Sequence, residues 1–221
     1  MHLLDKSYTL SYPKAIVFDW DNTLVDSWTL IHESLNFTFE KFGKEKWSLA
    51  KTKINIHRSI KDTLPELFHD DWKEAVKVYR AYYESIQNRL QPLELAEETL
   101  RMAHSKKIPI CIVTNKKNHL IHNEIHTLGW KKYFEYIVGS GDLEYDKPSP
   151  IGVEFVLNKI NKKPDKSIWF VGDSVTDMET AYNSNCVPVF FGEDDYNSDR
   201  YKLCRPKVHF QDHKILSDYL K

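Results

Sequence analysis

The chain has 221 residues, with 31 Lys+Arg against 32 Asp+Glu for a formal net charge of -1, and 41% of its residues are hydrophobic. That length allows one large domain or two unequal ones with a full core, and the composition excludes a mainly disordered chain. The charge balance speaks against a globally basic nucleic-acid coat. The three cysteines, Cys111, Cys186 and Cys204, form no CxxC pair. They support neither a disulfide framework nor a cysteine zinc site, and reduced cytosolic thiols are expected. The N-terminal MHLLDKSYTLSYPK has no apolar core of signal-peptide length, and no stretch approaches the roughly 18 apolar residues of a membrane span. A cytoplasmic protein that meets neither membrane nor nucleic acid is expected.

Ala15–Phe18 is the first of five short apolar runs, the others being 108–113, 136–138, 168–171 and 187–191. Each is nearly continuous rather than alternating, the pattern of a strand covered on both faces. Between the first and second runs, residues 27–91 show helical periodicity and no strand. Ile31, Leu35, Thr38, Phe39 and Phe42 line one helix face there; Trp72, Ala75, Val76, Tyr79, Tyr82 and Tyr83 line another. Gln91–Pro92 is the return point. Amphipathic segments follow at 93–105, 119–128 and 150–160. Strand–helix alternation predicts an α/β core with a parallel sheet, built from 1–26 and 92–221, with 27–91 inserted as an all-helical unit.

Four polar stretches fall at predicted strand ends. The first run ends in Asp19-Trp20-Asp21-Asn22-Thr23-Leu24, the second in Thr114-Asn115 and the fourth in Gly172-Asp173-Ser174-Val175-Thr176-Asp177. Tyr145-Asp146-Lys147-Pro148-Ser149-Pro150 places a lysine just before a helix start, with prolines setting the entry. Open parallel sheets bind ligands beyond the carboxyl ends of their strands. Two carboxylates there can hold a hard divalent cation, although Asp19 and Asp21 alone are equally compatible with a solvated turn. Asp177 lies one helical turn beyond Asp173 on the same face. Together, in this order, the four stretches form a strong signal.

DWDNTL, VTN, DKPSP and GDSVTD resemble the four motifs of the haloacid dehalogenase superfamily of phosphohydrolases. The resemblance runs from about Lys14 to a final strand near Val208 and is greatest to phosphoglycolate phosphatase-like members. It implies a Rossmann-like core with a central parallel sheet flanked by helices, and a small helical cap that closes over the substrate. It also implies roles. Asp19 is similar to the nucleophile that forms an aspartyl-phosphate, and Asp21 to the general acid and base. Thr114 and the Asn115 backbone would hold the phosphoryl oxygens, and Lys147 would balance their charge. Asp19, the Asp21 carbonyl and Asp173 would bind Mg²⁺, with Asp177 supporting it directly or through water. Family members that are dehalogenases or phosphonatases lack an acid at the position of Asp21, so a phosphate ester is the expected substrate class. Phosphoglycolate, a sugar phosphate and a nucleoside monophosphate are candidates, acted on by a monomer or weak homodimer. A phosphomutase of the β-phosphoglucomutase type is the alternative enzyme; a non-catalytic binding module is the alternative from another class.

Asn22 and Asn185 stand where the family often has Gly; such positions need a left-handed backbone, which Asn tolerates next best. Residues 44–61 carry Lys44, Lys46, Lys51, Lys53, Arg58 and Lys61 against Glu45. A solvated face explains most of these charges; Arg58, with His57, is the candidate for contacting substrate. His119, His122 and His126 recur on one helix without a third-ligand cluster, so a surface helix is favoured over zinc. Trp20 is expected beside the sheet edge or narrowing the site entrance, Tyr79, Tyr82 and Tyr83 within the cap core, and Cys111 inert within its strand.

Overall fold

The computed structural model describes residues 2–3, 10–56, 60–193 and 195–221. His57 and Arg58 lie outside these residues. The chain divides into one unit comprising Met1–Val25 and Pro92–Lys221 and a second comprising Asp26–Gln91.

The first unit is built on a seven-stranded sheet. Its strands are β1 (His2–Leu3), β2 (Ala15–Phe18), β5 (Ile110–Lys117), β6 (Tyr136–Ser140), β7 (Ile168–Gly172), β8 (Val187–Phe191) and β9 (Val208–Phe210); β3 (Val25–Asp26) and β4 (Gln91–Pro92) pair separately where the chain leaves the unit and returns. The spatial order is β1-β9-β8-β7-β2-β5-β6, parallel throughout except for β1, which runs antiparallel beside β9. Every residue of β2, β7 and β8 is buried, as a parallel strand covered on both faces requires. Helices α5 (Ala96–Ser105), α6 (Asn118–Thr127), α7 (Ile151–Lys159), α8 (Val175–Asn183) and α9 (His213–Leu220) flank the sheet. Val153, Val156 and Leu157 of α7 and Ala181 of α8 pack with Ala15, Val17, Cys111 and Phe170 in one cluster.

Sequence and structure differ by more than one residue at two element starts. The second strand begins at Ile110 rather than residue 108, because Pro109 has no N–H to give the ladder. It then continues to Lys117, with a register irregularity against β6 between Val113 and Lys117. Helix α5 begins at Ala96 rather than residue 93, because its N-cap Leu95 has left-handed backbone, φ 60°. Asn22 and Asn185 do take left-handed backbone, with φ of 59° and 57°.

The second unit is helical, with α1 (Trp28–Lys41), α2 (Leu49–Asn55), α3 (Ile60–Phe68) and α4 (Trp72–Ile86). Leu35, Phe39, Leu64, Phe68, Ala75, Tyr79 and Tyr83 are buried in it. Tyr82 is only half-buried and stacks on Phe37, ring centres 4.1 Å apart. Asn36 ties α1 to the α1–α2 loop: it donates to the Trp47 carbonyl (2.9 Å) and accepts from the Trp47 N–H (2.8 Å). Lys44, Lys51 and Lys53 are exposed, with ammoniums over the rings of Phe68, Trp47 and Trp28, and Lys46 pairs with Glu40. These lysines form a solvated face whose stems lie on aromatic surface. Among the described residues no helix is long and apolar enough to cross a membrane.

His213, buried at the start of α9, holds the loop after β2. Its Nε2 donates to the Thr23 carbonyl at 2.8 Å, and its Nδ1 faces the Thr99 hydroxyl at 3.0 Å. Burial pushes the imidazole down to about 4. It is therefore neutral in the fold over the window where the unfolded chain takes up a proton. Full stability is present above the ordinary histidine range and is lost as pH falls from about 6.5 toward 4, an effect of about 3 kcal/mol. Urea denaturation at pH 7 and pH 4.5 checks this: the native protein should lose more stability over that interval than His213→Gln.

Candidate active site

Three strand tips meet at one edge of the sheet. Phe18, the last residue of β2, pairs with Ile112 of β5 and Val171 of β7. Asp19 then donates its backbone N–H to the Val171 carbonyl at 2.9 Å, so it leaves the sheet beside Gly172 and Asp173. Thr114 and Asn115 lie beyond Val113, where β5 loses register with β6. The chain after Asp19 folds back tightly: Leu24 donates to the Trp20 carbonyl (2.9 Å) and Asn22 to the Val25 carbonyl (2.7 Å). The left-handed Asn22 makes this turn possible and presents Asp21 at the edge.

Lys147 enters from the loop before α7. Its Nζ lies 2.6 Å from Asp19 Oδ1 and 2.6 Å from Asp177 Oδ1, and all three side chains are buried. Burial works to deprotonate the lysine, but Asp177 and Asp19 outweigh it and hold its pKa above the ordinary range. Asn115 aims it. The Asn115 amide donates to the Lys147 carbonyl (3.0 Å) and accepts from the Lys147 N–H (2.9 Å), a two-point clamp on the backbone. The Thr114 hydroxyl accepts from the Lys116 N–H at 3.2 Å and keeps its own proton to donate.

Asp177 has two duties. Its Oδ1 accepts from Lys147, while its Oδ2 accepts from the Ser174 N–H (3.0 Å) and hydroxyl (2.6 Å). With Ser174 Oγ accepting from the Asp177 N–H this is a capping box, which starts α8 and fixes the carboxylate at the same time. Gly172 makes the room: a Cβ there would stand 2.5 Å from Asp177 Cβ.

Asp19, Asp173 and Asp177 form a group whose carboxylate oxygens lie within 4.8 Å of one another. Burial pushes Asp19 up to about 6, against the pull of Lys147, with Asp177 adding to the rise. Asp173 is raised well above the usual carboxylate range by burial and by the charges of Asp177 and Asp19. One ammonium does not neutralise three crowded carboxylates. Hard oxygens short of positive charge fit a divalent cation such as Mg²⁺. Asp177, with both oxygens engaged, fits a supporting place better than direct ligation.

Two polar residues of this edge had no place in the sequence reading. Lys116 Nζ lies 2.6 Å from Asp21 Oδ1 and 2.9 Å from Glu124 Oε2, and Trp20 Nε1 donates to the same Glu124 oxygen at 2.7 Å. Trp20 is buried, edge-on to Trp130 and Phe134, and so does not narrow an entrance. A signal for Glu124 existed: it shares the buried face of α6 with Leu120, Ile121 and Ile125, an acid where periodicity calls for an apolar residue. His119, His122 and His126 are exposed on that helix and belong to no metal-holding group among the described residues. Cys111 is buried, and burial pushes its thiol up to about 12.

The same edge brings the four motif stretches together. A family model for haloacid dehalogenase-like hydrolases matches residues 16–190. The chain belongs to this family. It is 30% identical over 172 residues to a phosphoglycolate phosphatase of Aquifex aeolicus, covering 76% of this chain and 79% of that one. It is 28% identical over 171 residues to a pyrophosphatase of Halalkalibacterium halodurans, covering 77% and 79%. A haloacid dehalogenase-superfamily hydrolase from Ehrlichia chaffeensis superposes with a TM-score of 0.65 at 27% identity over 96% of this chain and 98% of that one. A haloacid dehalogenase-like hydrolase from Streptococcus pneumoniae reaches 0.81 at 21% identity over 95% and 99%, a likeness of fold. The protein is a haloacid dehalogenase-type phosphatase, similar to phosphoglycolate phosphatases and pyrophosphatases.

In this phosphatase Gly172→Ala is expected to dislodge the Asp177 carboxylate and with it Lys147. Turnover should fall about a hundredfold, the scale of an ångström-sized misplacement. Phosphate release, with a thermal melt to show that the fold persists, checks this.

Proposed function

We propose that the protein hydrolyses a small organic phosphomonoester through an aspartyl-phosphate at Asp19. The observation that carries this reading is the Lys147 ammonium shared by Asp19 and Asp177, which with Asp173 make up an acidic group suited to a cation. An anionic carboxylate must approach an anionic phosphate, and positive charge at that point removes the repulsion.

In the first step an Asp19 oxygen bonds to phosphorus as the bond to the leaving oxygen breaks. Asp21 gives that oxygen its proton, and the alcohol departs. In the second step Asp21 takes a proton from a water, whose oxygen attacks phosphorus. The bond to Asp19 breaks, which frees the carboxylate and inorganic phosphate. Thr114 and the Asn115 backbone N–H hold the phosphoryl oxygens; Lys147 balances their charge. Asp19, Asp173 and the Asp21 carbonyl would hold Mg²⁺, supported by Asp177, and the ion would supply charge stabilisation at the phosphoryl group. The likeness to a phosphoglycolate phosphatase favours a substrate with a second anionic group.

Three measurements test the reading. Asp19→Asn, nearly isosteric but unable to attack phosphorus, should bring phosphate release to background while a cooperative thermal melt shows that the fold persists. Asp21→Asn should slow an alkyl phosphate by about 10²–10⁴-fold, the usual general-acid contribution, and an aryl phosphate far less, because its leaving group needs little protonation. A panel of phosphate esters and pyrophosphate, assayed with EDTA and then with Mg²⁺ restored, should show activity only with the ion. Ester hydrolysis that persists in Asp19→Asn overturns the mechanism.

A further inference from the structure

We propose that Glu124 is a positioning residue for the general acid: acting through Lys116 and Trp20, it fixes the Asp21 carboxylate in the geometry that protonates the leaving group. This assignment rests on Asp21 serving as that acid.

The geometry is a branched clamp centred on one oxygen. Glu124 Oε2 accepts from the Trp20 indole at 2.7 Å and lies 2.9 Å from the Lys116 ammonium, which in turn lies 2.6 Å from Asp21 Oδ1. Trp20 stands between Asp19 and Asp21 in the chain, so the same carboxylate grips the backbone segment that carries both acids and the cation that holds the second. The clamp comes from two elements. Lys116 sits at the tip of β5 and Glu124 on α6, the helix that follows it.

Burial indicates that this is more than a surface ion pair. The Lys116 and Glu124 side chains are 4% and 1% exposed, whereas that of Asp21 is 28% exposed. The exposed end of the chain of contacts is the acid itself, and its anchor is set in the interior. A buried ion pair is weak as a source of stability, since apolar residues of similar volume usually serve as well or better. It is strong as a source of orientation, because the buried Glu124 carboxylate leaves the ammonium little freedom. Asp21, on a tight turn with a partly solvated side chain, is the group that needs orienting. Proton transfer demands hydrogen-bond contact with the leaving oxygen, and a small displacement of a catalytic group is costly.

Glu124→Gln isolates the contribution of charge, because the amide oxygen can still accept from Trp20 while the attraction to Lys116 is lost. The test measures kcat and KM for an alkyl and an aryl phosphate in the native protein, Glu124→Gln, Asp21→Asn and the Asp21→Asn/Glu124→Gln pair. In Glu124→Gln, kcat for the alkyl phosphate should fall about ten- to a hundredfold. KM should hold, and the aryl phosphate should react nearly as in the native protein. In the Asp21→Asn background, adding Glu124→Gln should cost nothing further with the alkyl phosphate. If Glu124→Gln melts too low to assay, Lys116→Gln/Glu124→Gln removes both buried charges together and must show the same selectivity. Equal losses for both esters, or full additivity with Asp21→Asn, would reduce Glu124 to a structural role and overturn the inference. If Asp21→Asn is selective and Glu124→Gln is not, only this inference falls. If Asp21→Asn is itself unselective, the general-acid reading falls with it.

Discussion

The buried ammonium of Lys147 is the constraint around which the rest of the acidic sheet edge is arranged. A lysine removed from water must be paired, and here two aspartates lie 2.6 Å from it. Each partner is brought by a different part of the chain, Asp19 by the end of β2 and Asp177 by the first turn of α8. Neither could be there without the parallel sheet that sets β2 beside β7. The fold and the charge pairing therefore depend on each other.

Second-rank features follow from the need to keep that ammonium in place. Asn115 grips the backbone of Lys147 from both sides, so the lysine is aimed by its main chain as well as by its side-chain partners. The capping box makes helix initiation and carboxylate placement one event, and Gly172 leaves the space in which it happens. Around the other acid an independent set of contacts, Trp20, Lys116 and Glu124, repeats the principle of a buried cation between two carboxylates. The two lysines hold two different acids of the same edge.

Excess negative charge remains after these pairings. Asp19 and Asp173 both sit above the usual carboxylate range because burial and mutual repulsion disfavour their ionised forms. A site left in that state suits the arrival of a divalent cation, which makes ionised carboxylates the favoured form. Crowding that would be costly elsewhere is thus consistent with a metal-assisted phosphoryl site.

Much of this was legible in the amino-acid sequence. Continuous β-branched and aromatic runs marked strands buried on both faces, and Ala15–Phe18 and Val187–Phe191 match the observed elements end to end. The stretches that carry Asp19, Lys147 and Asp173 were expected at strand or helix ends and lie there, whereas Thr114 falls inside β5, past the point where its register with β6 breaks. Asn22 and Asn185 were expected to take left-handed backbone because the family often has glycine there, and both do. Only the tertiary structure could decide which distant groups would share an oxygen. Trp20 and Glu124 are 104 positions apart, and nothing in their spacing announces a hydrogen bond. Lys116 was singled out by no pattern in the sequence and is buried in the fold. Local rules determine backbone conformation and which faces are apolar. The partner of a buried charge is set by the order in which the strands assemble, and that order is a property of the whole chain.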